Sequence, residues 1–453
     1  MREIIVDTIK GARLETVYGI NELSYIGKTL SCDISSKYDS QKKRHIEYLE
    51  IPCAFDIETT NIYEKDERGN ITGSRPFAYM YHWQFCLDDE VCFGRTWGEF
   101  RELLDMLHRK MGLSEEKRLV IWVHNLSFEF QFFRRFVNVI DSFCKEAYKP
   151  LKVILDNGVE FRDSYSLSNM TLGKFCENEP GVLHYKLSGD DYDYRKIRTA
   201  DTPMTEKELA YCYNDVRGLA ECIAARMEED TLARMPMTST GYVRRDCRNS
   251  MRKNKRNRQR FKEMRLSPDL YAMCREAFRG GDTHANVRHA NQTIKNYGGA
   301  HAIKSFDISS SYPWQMLSKP YPSGPFFPIT LETFEGRDLS GFALLFRIKL
   351  KNARYIGTCG IPYIPKSKCA ALSPDAVIDN GRVLKGSLEM TVTDIDWKII
   401  KTEYSFEAVW YKDIYAARYD RMPEEFRAVV MDYYRGKTEL KGISEKEFEY
   451  NKA

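Results

Sequence analysis

Asp56 and Glu58, two acids one residue apart, close a short apolar run that begins at Ile51. On a strand, positions i and i+2 point to the same face. Two carboxylates held side by side repel each other unless a cation sits between them. Hard divalent ions that take oxygen ligands, Mg2+ or Mn2+, suit such a pair. A further acid, Glu129, lies in His124-Asn-Leu-Ser-Phe-Glu-Phe-Gln-Phe132, directly after the apolar run Leu119–Val123. Phe128, Phe132 and Phe136 recur at i, i+4 and i+8, which predicts a helix over 127–139 with Asn125 and Glu129 on adjacent turns of one face. A third fragment, Tyr211-Cys-Tyr-Asn-Asp215, follows Pro203 and the capping-box pair Thr205 and Glu208. Tyr211 and Asp215 then fall one turn apart, and Leu209, Val216, Leu219 and Ile223 supply the apolar face. Taken singly, each fragment also reads as a solvated strand end or an ordinary amphipathic helix.

Acids spaced this far apart need a scaffold to meet. With 453 residues the chain has room for two to four domains and a sizeable core. Its 43% hydrophobic and 30% charged residues place it among globular proteins, and a net charge of +4 says little about partners. Apolar runs at Phe77–Phe85, Leu119–Val123, Leu151–Leu155 and Val159–Phe161 alternate with helical patterns at Trp97–Met111, Ser127–Val139 and Thr205–Met227. Strands alternating with helices predict a mixed sheet covered by helices, an α/β arrangement. No run of about 18 apolar residues predicts a membrane span. Residues 1–7 lack the apolar core of a signal peptide. Twelve scattered cysteines without a Cys-x-x-Cys pair read as thiols in a reducing cytoplasm rather than zinc ligands or disulfides. Residues 1–48 are polar and mixed, and the expectation is a partly ordered extension.

In order and internal spacing, "DIE" (Asp56, Glu58), "NLSFE" (Asn125 to Glu129) and "YCYND" (Tyr211 to Asp215) resemble the three motifs of the proofreading 3′–5′ exonuclease superfamily. The resemblance implies four metal-binding carboxylates, Asp56, Glu58, Glu129 and Asp215, around two Mg2+ or Mn2+ ions that clamp a phosphodiester. It also implies that Tyr211 orients the attacking water. The superfamily usually has Asp where this chain has Glu129, one methylene longer. Asp163-Ser-Tyr-Ser-Leu-Ser-Asn-Met170 is similar to the Ser-Leu motif of protein-primed family B DNA polymerases, with Ser166 and Leu167 against single-stranded DNA. His184 to Arg195 resembles the segment of that branch that carries an exonuclease lysine, for which Lys186 is the nearest candidate. Asn125, Phe128 and Phe132 would grip the strand by polar contact and stacking.

Past Met227 the composition changes. Arg244 to Arg265 holds eleven Arg and Lys, among them Arg252, Lys253, Lys255 and Arg256, against Asp246 and Glu263. A net +9 over 22 residues is a phosphate-binding footprint, although a solvated basic helix has the same composition. Phe278-Arg-Gly-Gly281 resembles the Tyr-x-Gly-Gly motif that joins exonuclease and polymerase domains in family B, which implies DNA contact at Phe278, Gly280 and Gly281. Ser305-Phe-Asp-Ile-Ser-Ser-Ser-Tyr-Pro-Trp314 resembles polymerase motif A, with Asp307 at the end of an apolar strand as a metal ligand. Ser310 and Tyr312 would then contact the incoming nucleotide. Met431 to Lys441 is similar to the approach to the fingers, with Lys437 as a nucleotide contact. Thr393-Asp-Ile-Asp396 reads as a helix N-cap rather than a polymerase metal motif, because of its place in the order.

The resemblance thus implies a multidomain α/β and α+β chain. Residues 1–48 form an extension and 49–228 an RNase H-like exonuclease domain. Residues 229–325 carry a basic linker and a partial palm with motif A, 326–420 an insertion like the terminal-protein region, and 421–453 the start of the fingers. Motifs B and C do not occur in these 453 residues, so polymerisation is expected to need a further C-terminal part. The implied partners are DNA with a single-stranded 3′ end or a primer-template junction, deoxynucleoside triphosphates, a terminal protein and a separate C-terminal polymerase chain, with no membrane. The implied location is the cytoplasm, that of a host if the chain is viral. A non-catalytic DNA-binding replication subunit and a stand-alone metal-dependent exonuclease are the alternatives.

Overall fold

The structure is a computed structural model and describes residues 1–63, 68, 72, 76–187, 192–193, 196–281, 291–295, 303–308, 310–358 and 361–439. The chain divides into two compact units, Met1–Arg245 with Arg435–Ala453, and Asp246–Tyr434.

The first unit is built on an 11-stranded sheet. In chain order its elements are β1 (Arg2–Thr8), β2 (Gly11–Tyr18), α1 (Tyr25–Ser31), β3 (Ile34–Asp39), β4 (Arg44–Leu49), β5 (Cys53–Ile62), β6 (Phe77–Leu87), β7 (Glu90–Gly94), α2 (Trp97–Met111) and β8 (Lys117–Val123). There follow α3 (Leu126–Phe133), β9 (Val139–Glu146), β10 (Lys149–Leu155), β11 (Val159–Asp163), α4 (Ser164–Ser168), α5 (Leu172–Asn178), α6 (Glu206–Met227) and α7 (Ser239–Arg252), the last running on into the second unit. The strand order is β1-β2-β7-β6-β5-β8-β11-β10-β9, with β4 also paired to β8 and β3 to β4. β5 lies near the middle, antiparallel to β6 and parallel to β8.

Period two along β5 decides which side chains face which layer. Cys53, Phe55 and Ile57 enter a core shared with Phe85, Phe100, Leu103 and Phe133. The Phe55 ring lies 4.9 Å from Phe100 and 5.9 Å from Phe133. Burial of this kind makes Phe55→Ala cost about 3–5 kcal/mol. Ala54 enters the opposite core, with Trp122, Phe175, Val216, Leu219 and Ile223. Asp56 and Glu58 continue the Ala54 side, so the alternation that buries Phe55 also turns both acids toward α6. That helix lies across β1, β5 and β6.

Several expectations hold in detail. Thr205 caps α6 and forms a capping box with Glu208, and α2 spans Trp97–Met111 as its periodicity predicts. Two need correction. The helix expected over 127–139 stops at Phe133. Phe136 stacks on Trp97 instead, with centroids 5.3 Å apart, and Val139 opens a strand paired with β10. Residues 1–48 are not a loose extension. β1 buries Ile4, Val6 and Thr8 on alternate positions, and β4 runs parallel to β8. The segment reads as polar because only one face of each strand is apolar, and the interposed charges lower its average.

The second unit holds α8 (Lys255–Glu263), α9 (Pro268–Ala277), α10 (Ser311–Ser318), β12 (Tyr321–Pro322), β13 (Phe327–Pro328), α11 (Leu331–Gly336), β14 (Phe342–Tyr355), β15 (Cys369–Leu372) and β16 (Val377–Asp379). It continues with β17 (Arg382–Thr393), α12 (Asp394–Glu403), β18 (Tyr404–Ser405), β19 (Ala408–Asp420) and α13 (Glu424–Glu439), whose last residues from Arg435 count with the first unit. β14 pairs with β17 on one side and β19 on the other. Phe346, Ile348, Val392, Trp397 and Ile400 form its core. Thr393 caps α12 in a capping box with Asp396, as its sequence predicts. The expected cut at 325/326 does not separate two bodies. Leu270, Met273 and Ala277 of α9 pack on Leu345 of β14, and β12 pairs with β19.

Asp307 does not end a strand. Residues 303–308 are irregular, and Phe306 and Ile308 are 88% and 77% exposed. An apolar run becomes a strand only where a neighbour takes up its hydrogen bonds, and no described strand pairs with this one.

Candidate active site

Three elements bring the predicted acids together. β5 offers Asp56 and Glu58, α6 offers Asp215, and α3 offers Glu129. Asp56, Glu58 and Asp215 each place a carboxylate oxygen within 4.8 Å of the others. The Glu129 carboxyl faces Asp56. Across the strand pair, in register with Asp56, stands Gln84 of β6. Its Nε2 donates to Asp56 Oδ2 at 3.0 Å and reaches Glu58 Oε1 at 3.4 Å. The Cys212 thiol of α6 lies 4.0 Å from the same Glu58 oxygen.

Four carboxylates in one buried place are electrostatically costly. Burial raises Asp56 to about 7, with Asp215 adding to the effect and Lys186 opposing it. Burial, then Asp56 and Asp215, pushes Glu58 well above the carboxylate range. Burial and Asp56 do the same to Glu129. Asp215 is raised by burial and relieved by Lys186, whose Nζ lies 2.7 Å from Asp215 Oδ2. Lys186, the nearest sequence candidate for a lysine at this site, thus lies against one of the predicted acids. Its ammonium also lies 4.9 Å from the centre of the Tyr211 ring. Tyr211 itself is buried and packs on Tyr192 at 4.8 Å, so its ring face meets the lysine.

Beside the acids opens a cavity of about 400 Å³ lined by Asp56, His124, Asn125, Tyr165, Thr171, Leu172, Lys186, Asp215 and Leu219. Asn125 is exposed and takes a left-handed φ of 84° ahead of α3. Phe128 is 44% exposed, and its ring lies 5.1 Å from that of Phe132. Ser166 is half-buried on α4. The Leu167 side chain corrects its expected role at the DNA: at 1% exposure it belongs to the core beneath α4, where it can support the loop but not touch a strand.

Three participants escaped the sequence reading. Asp163 accepts from the backbone N–H of Asn125 (3.1 Å) and Leu126 (2.9 Å) through Oδ1, and from that of Ser166 (2.8 Å) through Oδ2. One carboxylate thus ties together the starts of α3 and α4, the elements around Asn125, Phe128 and Ser166. An Asp three residues before a serine at a strand end is an N-cap signal that was available. His124 contributes a ring whose Nδ1 meets Ser164 Oγ at 3.1 Å, with a pKa lowered by burial and Lys186 to about 4. Gln84 had no sequence signal, because strand register is not written in a single strand.

No residue matched to a polymerase motif belongs to an acid cluster among the described residues. Among the described residues Asp56, Glu58 and Asp215 form the one group of metal-ligating side chains, and Asp307 gathers no second. Ser310 sits at φ 52° ahead of α10, Tyr312 is 78% exposed, and Lys437 lies on α13. Phe278 and the two glycines after it are exposed, and neither glycine has a left-handed φ. Arg252, Lys253, Lys255 and Arg256 all face solvent around the α7–α8 junction.

A family model described as DNA polymerase type B, organellar and viral, matches residues 183–447, more than half of the chain. The chain is 27% identical over 224 residues to the DNA polymerase of Bacillus phage Nf, which covers 49% of this chain and 36% of the relative. The DNA polymerase of Bacillus phage B103 gives 27% over 228 residues with the same coverage. Phi29 DNA polymerase complexed with primer-template DNA matches with a TM-score of 0.62 at 16% identity, covering 88% of this chain and 66% of that one. Its ternary complex with primer-template DNA and incoming nucleotide substrates gives 0.59 at 17% identity, covering 89% and 66%. The chain spans 36% of the length of these curated relatives. The likeness to the solved structures is one of fold.

Proposed function

The chain belongs to the type B DNA polymerases, organellar and viral, and from that footing we propose that it serves DNA replication and that its first unit is a metal-dependent 3′–5′ exonuclease. The observation that carries the reading is the convergence of Asp56, Glu58 and Asp215 from two elements, with Glu129 beside them. The donor set fits Mg2+ or Mn2+ on its own terms. All four ligands are hard oxygens. Two buried oxygens, Glu129 Oε2 and Asp215 Oδ1, have no hydrogen-bond partner among the described residues. The raised carboxyls mark a site short of positive charge, which Lys186 alone does not balance. Asp56, Glu58, Glu129 and Asp215 would hold the ions. When bound, a metal pair supplies an activated water and stabilises the leaving 3′ oxygen.

The protein's own groups do the rest. Gln84 fixes Asp56 and Glu58 relative to each other, and Lys186 holds Asp215. The cavity of about 400 Å³ beside the acids has room for a terminal nucleotide. Asn125 in its lining offers a polar group to single-stranded DNA, and the exposed Phe128, on the first turn of α3, an aromatic face. Stacking of this kind is worth about 1–3 kcal/mol per base and tolerates any sequence. On the polymerase side, Asp307 would hold metal, Ser310, Tyr312 and Lys437 would contact the nucleotide, and the sheet over 326–420 would serve priming. DNA and deoxynucleoside triphosphates are its proposed substrates.

The test is degradation of a 5′-labelled single strand with Mg2+ or Mn2+. The expected result is stepwise shortening from the 3′ end, abolished by Asp56→Ala with Glu58→Ala. Undiminished shortening in that double variant would remove the site, and an inactive wild-type chain would favour a non-catalytic DNA-binding subunit.

A further inference from the structure

The lysine at the site sits on a stretch without secondary structure, residues 182–187. A free loop would carry Lys186 through many positions, yet its Nζ rests 2.7 Å from Asp215. What holds it is found one and two turns further along α6. Glu221 Oε2 accepts from the backbone N–H of Leu183 at 2.7 Å and of His184 at 3.0 Å. Its Oε1 lies 2.8 Å from His184 Nδ1. Gly218 makes this approach possible, because a Cβ there would run into the carbonyl oxygen of His184. From the other side, Ile9 N–H donates to Leu183 O at 3.0 Å. Glu15 of β2 reaches both the His184 ring (3.6 Å) and the Tyr213 hydroxyl (3.1 Å). Asn214 Nδ2 donates to Asp7 O at 2.9 Å, which pins β1 to α6 next to Asp215.

We propose that Glu221 is a positioning residue which, with Gly218 and the β1–β2 hairpin, clamps residues 183–186 in the register that sets Lys186 on Asp215. The proposal rests on the exonuclease reading, and it gives residues 1–18 a task in the reaction. Three donors converge on one carboxylate, so two backbone amides and a ring are fixed at once. Lys186 follows two residues after His184, too short a span to wander. The side chain that reaches Asp215 is thereby pre-placed. Partners one step removed from metal ligands cost about 10–100-fold in activity when lost.

A double-variant cycle tests the clamp. The wild-type chain, Lys186→Ala, Glu221→Gln and the combination are assayed for single-strand degradation in Mn2+, with kcat and KM read separately. An amide at 221 accepts at one end only, so it releases part of the segment. Lys186→Ala is expected to lower kcat about 10–100-fold and Glu221→Gln about tenfold, both at unchanged KM. The combination should be no worse than Lys186→Ala alone, because Glu221 acts through the lysine. Gly218→Ala, which drives the segment off the helix by a different route, should show the same non-additivity. If Glu221→Gln fails to fold, that variant runs the cycle. Losses that multiply in the combination, or a Glu221→Gln chain with full kcat, would overturn the clamp and leave the nuclease intact. A wild-type chain without nuclease activity would overturn both.

Discussion

Neutralising one acid should stabilise the metal-free protein while destroying its chemistry. Take Asp56→Asn. Asp56 is raised from 3.8 to about 7, with burial and then Asp215 as causes. Between those two values the folded state holds the proton more tightly than the unfolded chain. Stability therefore falls as pH rises through about 4 to 7 and stays low above that window. A shift of about 3 units at about 1.4 kcal/mol each sets a ceiling of about 4 kcal/mol. Asp56 is half-buried and shares its titration with Glu58, Glu129 and Asp215, which brings the expected gain to about 1–2 kcal/mol. Asparagine can still accept from Gln84 Nε2, so the hydrogen bond at 3.0 Å is kept. The assay is calorimetric melting with chelator at pH 4 and pH 8. At pH 8 Asp56→Asn should melt about 2–8 °C above wild type, and at pH 4 the two should nearly coincide. Mn2+ should then reverse the order. A ligand at 100 times its Kd stabilises by about 2.7 kcal/mol, and the variant has lost part of its metal site. If Asp56→Asn melts below wild type in chelator at pH 8, the acids are not in conflict and the electrostatic account is wrong.

Three further outcomes are expected. Replacing Arg252, Lys253, Lys255 and Arg256 by Ala should weaken binding to all DNA sequences alike and reduce the salt slope by up to about 3–4, measured by titration across salt concentrations; an unchanged slope would leave the run facing solvent only. Asp163→Ala strips three backbone N–H groups of one acceptor, so it should cost about 3 kcal/mol of stability by denaturant melts and raise the KM for single-stranded DNA; a change in neither would mean that the two loops are held elsewhere. Phe128→Ala should weaken single-strand binding by about 1–3 kcal/mol with the same loss for every base composition, since the stacking face is indifferent to sequence. Binding that changed for one base only would point to edge recognition instead.

How much of this was written in the chain differs by distance along it. Asp56 and Glu58 share a face because a strand alternates every two residues. Thr205 and Glu208 announce the start of α6, and Asp215 follows at a helical interval. These are local relations, and one sequence contains them whole. Glu129 is legible as an acid just past the apolar run Leu119–Val123, and the family resemblance adds Lys186 to the set. The structure places both beside the same acids. Folding decided what depends on which strands become neighbours. Gln84 meets Asp56 through a register that joins residues 28 apart. Glu221 reaches Leu183 across 38 residues. Residues 1–48 look polar one by one, yet their alternate faces are buried once β1 and β4 find partners in the sheet. Ile303–Ile308 shows the opposite case: it looks like a strand and remains irregular without a described strand beside it. Periodicity tells a chain which side of an element is apolar. Only long-range pairing supplies the second surface that makes that side an interior, and only there do burial and like charge turn four ordinary carboxylates into a site.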